Sequence, residues 1–118
     1  NPAYRQVFTS LFVPGATPEQ VNWFNELQRM TTSPENAATI QSAFADIDVS
    51  DRLSLVTQPT LVLHARNDAR VPHASGRELA MGIPGARFVT LEGQNHLLLD
   101  QEPAWPRFLA EVRAFLAE

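Results

Sequence analysis

Two short apolar segments, each running into a polar loop and then a helix, constrain this chain most. "TLVLHA" (60–65) sits behind Pro59 and is apolar almost throughout, as a buried strand requires. The polar loop "RNDARVP" follows, then "HASGRELAMGIPGA", a short helix closed by Gly82 and Pro84. "RFVTLEG" (87–93) is the second strand. Beyond it Trp105, Phe108, Leu109, Val112, Phe115 and Leu116 recur at i, i+3, i+4 and i+7, the stripe of an amphipathic helix. Strand, helix, strand, helix predicts a βαβ unit with parallel strands. Two strands flanked by helices make a narrow core, so the expected architecture is the C-terminal part of a wider α/β sheet, incomplete on its own.

The first part of the chain has a different character. Asn1-Pro2, Thr17-Pro18-Glu19-Gln20 and Ser33-Pro34-Glu35 each place a capping residue before a proline at the first helical position, and Gln20 adds a capping box. Three helices are predicted. The second carries Val21, Phe24, Leu27 and Met30 on one stripe, and the third runs from Pro34 to about Asp46 with Ile40 and Phe44 on one face. "DIDVSDRLSLVTQP" is expected to be a loop. Its three carboxylates do not form a calcium loop, because Asp51 and Thr57 stand where glycine and glutamate are needed.

The nine basic residues are all arginine and scattered, and the net charge is −4. No direct nucleic-acid contact by this segment is expected, since that needs a basic patch. No apolar run approaches the roughly 20 residues of a membrane span, and "NPAYRQ" lacks the pattern of a signal peptide. The absence of cysteine excludes disulfides and thiolate metal sites and is compatible with the cytoplasm, the expected location. A start at Asn1 is expected of a piece of something longer.

Asp68 follows the first strand and His96 the second. The carboxyl ends of neighbouring parallel strands form the rim where ligands bind, so two residues 28 positions apart come within reach of each other. An aspartate facing an imidazole fixes its tautomer and stabilises its protonated form. His64 is expected to be satisfied by its neighbours, and His73 to open a helix. His64, His73 and His96 match no zinc spacing.

"PTLVLHARNDARVP" resembles the acid-bearing strand of the α/β-hydrolase superfamily, with its Val-Pro a few residues on. "IPGARFVTLEGQNHLLLDQEPAW" resembles that family's last strand and histidine loop. The resemblance implies a division into a helical cap and return segment, residues 1–57, and a β-α-β-α part, residues 58–118. It implies Asp68 as the triad acid, His96 as the general base, no cofactor and no metal. "RQVFTSLFVPGATPEQ" and "NELQRMTTSPENAA" are similar to hydrolase-like domains joined to bacterial helix-turn-helix regulators or nucleotide cyclases. None of the six serines (Ser10, Ser33, Ser42, Ser50, Ser54, Ser75) sits in a G-x-S-x-G elbow, and there is no HGGG-type oxyanion segment. The nucleophile is therefore expected outside this chain, and the 118 residues alone are expected to be inactive. The expected partner is a small-molecule substrate or ligand. The alternative is a ligand-sensing or interaction module of a regulator. Open strand edges and the apolar last helix would pair with the remainder of a longer chain or with a second copy.

Overall fold

The computed structural model describes residues 2–118. The capping role expected of Asn1 therefore lies outside the described residues. Three helices come first: α1 (Pro2–Phe12), α2 (Pro18–Thr31) and α3 (Pro34–Ala45). The starts of α2 and α3 follow from local chemistry. Thr17 Oγ1 accepts the Gln20 N–H at 3.2 Å while Gln20 Oε1 accepts the Thr17 N–H at 2.9 Å, the reciprocal box the sequence predicts. Ser33 Oγ accepts the Asn36 N–H at 3.1 Å and opens α3.

The segment expected to be a loop contains a 3-10 helix, Ser50–Leu55. Asp48 Oδ1 accepts both the N–H and the hydroxyl of Ser50 just before it, which turns the chain tightly enough to start one. Strand β1 (Leu61–Ala65), helix α4 (His73–Gly82), strand β2 (Arg87–Leu91) and helix α5 (Ala104–Leu116) complete the chain. Between α4 and β2 the backbone turns at Gly85, whose φ of 72° is costly for any residue with a Cβ.

β1 and β2 pair in parallel, Leu61 opposite Arg87 through Ala65 opposite Leu91. Side chains alternate across the pleat and each face receives its own helix. His64, Phe88 and Thr90 face α4, where His73 meets the Phe88 ring and the Thr90 hydroxyl. On the other face Arg87 lies over Phe115 of α5 and pairs with Glu118. The result is an αβα sandwich of minimal width. Its buried apolar residues include Val62, Ala65, Ala80, Ile83, Leu91 and Ala104.

The helical part packs less completely. α1 and α2 meet through Phe12 and Phe24, ring centroids 6.0 Å apart, and through polar contacts of Thr9 with Asn25 and Gln28. The α2 stripe is only half covered: Phe24 and Val21 turn inward, but Leu27 is 39% exposed and Met30 72%. Ile40 and Phe44 on α3 are also exposed. Among the described residues no helix is long and apolar enough to cross a membrane.

Candidate active site

Backbone pairing continues past the strands and sets the loops side by side. The Arg66 N–H bonds Leu91 O at 2.9 Å and the Asn67 N–H bonds Gly93 O at 3.0 Å. These rungs carry Asp68 and His96 to the same rim, at the carboxyl ends of the two strands. There Asp68 Oδ2 lies 2.7 Å from His96 Nδ1.

The aspartate is held from several directions. Its Oδ1 accepts the backbone N–H groups of Arg70 at 2.8 Å and Val71 at 2.9 Å, and its side chain is 3% exposed. Burial pushes the carboxyl pKa up. The Val71 N–H, the His96 ring and the Arg70 N–H together outweigh burial, so the group stays below its ordinary value and is ionised at neutral pH. An ionised carboxylate only accepts, so His96 carries its proton on Nδ1 and presents the lone pair of Nε2. No hydrogen bond engages Nε2 among the described residues, and the side chain is 31% exposed.

The depressed pKa makes Asp68 a pH-dependent source of stability. Its contribution is fully present above the unfolded-state value, about 3.9, and is lost as pH falls through the lower folded value. Urea unfolding of wild type and Asp68→Asn across acidic pH should show a difference that shrinks as pH falls through that window. A difference independent of pH would contradict the assignment.

His96 is also fixed by its backbone. Its N–H bonds Phe12 O at 2.8 Å, and the Leu97 N–H reaches the same carbonyl at 3.3 Å. That carbonyl belongs to the last residue of α1 and has no helical partner, so the histidine loop caps the helix. The Phe12 ring stands edge-on to the imidazole, centroids 5.2 Å apart at 84°. Arg70 lies over the Phe12 ring, its Cζ 5.5 Å from the ring centroid.

Asn95, immediately before His96, was not anticipated by sequence reasoning. It is 4% exposed, accepts the Gly15 N–H at 2.9 Å and donates to Glu102 Oε2 at 2.7 Å. Glu102 Oε2 also accepts the Leu99 N–H at 2.8 Å. Gln20 and Gln101 exchange amide hydrogen bonds of 2.8 and 2.7 Å alongside. The only sequence signal for this latch was a run of amides around a histidine, which composition cannot tell from a surface turn.

The remaining histidines lie on the α4 side. His64 Nε2 bonds Val71 O at 2.9 Å, and His73, the first residue of α4, bonds the Thr90 hydroxyl at 2.9 Å. Burial, then the nearby charges of Arg77, His64 and Arg66, keep the His73 pKa below its usual value. Among the described residues no cluster of three His, Asp or Glu side chains could hold a metal ion.

Comparison with known proteins identifies the family and fold. The Abhydrolase_4 family model, described as TAP-like protein, matches residues 29–117. The chain is 37% identical over 75 residues to RutD of Pseudomonas syringae pv. syringae (strain B728a), named as a carbamate hydrolase, covering 64% of this chain and 28% of that protein. It is 32% identical over 87 residues to the AB hydrolase superfamily protein YisY of Bacillus subtilis (strain 168), covering 72% of this chain and 31% of that one. An esterase (EaEST) from Exiguobacterium antarcticum superposes with a TM-score of 0.80 at 23% identity, over 99% of this chain and 43% of the esterase. The chain thus spans about a third of the length of the curated relatives it matches. The matched span includes both loops that carry Asp68 and His96, and on these grounds the chain belongs to the TAP-like protein (Abhydrolase_4) family and has the α/β-hydrolase fold.

Proposed function

We propose that Asp68 and His96 are the acid and base of a serine hydrolase whose nucleophile lies in a part of the protein outside these 118 residues. The observation that carries this reading is the 2.7 Å bond between Asp68 Oδ2 and His96 Nδ1, with the imidazole 31% exposed at the strand rim. The serine Oγ gives its proton to His96 Nε2 as it attacks the acyl carbon. Asp68 stabilises the imidazolium that forms, and His96 returns the proton to the departing alcohol or amine. Water then repeats the sequence to free the acid. The substrate is an ester, amide or related acyl bond. The name of RutD supports including carbamates in that class. Residues 1–57 form the cap and return segment ahead of the acid strand, with Phe12 against the base.

A fluorophosphonate probe tests the reading, because it phosphonylates only a serine activated by such a relay. Full-length protein should take up one equivalent, located by mass spectrometry on a serine outside residues 2–118. Saturable binding of acyl ligands without any labelling would replace hydrolysis with ligand sensing, as in a module of a bacterial transcriptional regulator.

A further inference from the structure

His64 has no part in the proton relay just described, yet it is built against the acid. Its side chain is 10% exposed, and Nε2 lies 2.9 Å from Val71 O and 3.4 Å from Asp68 Oδ2. A carbonyl only accepts, so Nε2 carries the proton and points between two acceptors, one at each end of the Asp68–Val71 turn. The ring cannot retreat. On its far side a Cβ at Gly76 of α4 would stand 2.3 Å from Nδ1, so only glycine leaves room for the imidazole. The His73 ring lies edge-on at 5.7 Å. Asp68 thus has Oδ1 fixed by two backbone N–H groups and Oδ2 facing two imidazoles.

We infer that His64 is a positioning residue of the relay. Its N–H holds the 68–71 turn closed through Val71 O and keeps Asp68 Oδ2 directed at His96 Nδ1. The inference rests on the proposed roles of Asp68 and His96. His64 itself touches no substrate, so its loss should lower kcat and leave KM unchanged.

The test uses full-length protein, p-nitrophenyl acetate as substrate, and the low-field proton resonance of His96 Nδ1–H, which needs no substrate. His64→Leu should lower kcat about tenfold, the scale of one hydrogen bond, and broaden the resonance into solvent exchange. His64→Gln, whose amide N–H reaches towards the same carbonyl, should keep the resonance and recover kcat to within about threefold. Gly76→Ala should resemble His64→Leu in the wild type and cost little more once His64 is Ala, because the clashing ring is gone. Equal behaviour of Leu and Gln, or a Gly76→Ala effect indifferent to residue 64, overturns the proposal while the relay stands. Turnover that survives His96→Ala overturns the relay, and this proposal with it.

Discussion

Asp68→Asn is expected to lower kcat of the full-length protein by about four orders of magnitude, the scale seen when a triad acid becomes an amide. The reason is a tautomer forced by the backbone. The N–H groups of Arg70 and Val71 both point at the Oδ1 position, so the asparagine carbonyl must sit there. Its NH₂ then occupies the place of Oδ2, facing His96 Nδ1 across 2.7 Å. Two donors cannot share that contact, so Nδ1 gives up its proton and Nε2 takes it. In the proposed relay His96 then presents an N–H to the serine instead of a lone pair. The side chain keeps its shape and its bonds to the turn, so the fold should persist at neutral pH, less the stability that the ionised carboxylate contributes there. Steady-state turnover of an activated ester decides the matter. A loss smaller than about tenfold would remove Asp68 from the relay.

The sequence told most where chemistry is local. Caps at Thr17 and Ser33 place helices because their partners, Gln20 and Asn36, lie three residues away. The period of the Trp105–Leu116 stripe defines α5 for the same reason, and Asp68 and His96 were legible as a pair because each lies in the loop that follows a strand. What stayed hidden depends on contacts that no local pattern encodes. The place of Phe12 against His96 follows from folding across 84 positions. His64 was expected to be satisfied by neighbours, and Val71 does satisfy it, but its approach to Asp68 depends on the space above Gly76. The partly open stripe of α2 shows the converse limit: helical period says which residues share a face, not whether anything covers that face.

Asn95→Leu is expected to destabilise the full-length protein by about 3 kcal/mol, chiefly through lost hydrogen bonds, although leucine keeps asparagine's branched outline. Asn95 is almost wholly buried, and its amide satisfies the Gly15 N–H on one side and the Glu102 carboxylate on the other. Leucine leaves the N–H without its acceptor and takes a charge-assisted bond from the carboxylate, which keeps only the Leu99 N–H through Oε2. Both losses occur in one place, so the turn after α1, the histidine loop and the start of α5 loosen together. A shift in the urea midpoint at unchanged slope would report this, and a change below about 1 kcal/mol would mean that the latch adds nothing to stability. Activity should fall as well, through geometry rather than chemistry. His96 takes its backbone anchor from Phe12 O, three residues before Gly15, so releasing Gly15 frees the α1 end on which His96 is hung. A buried amide is thus a better residue than an apolar one beside this histidine, because only a group with both a donor and an acceptor can hold the helical segment and the histidine loop in one register.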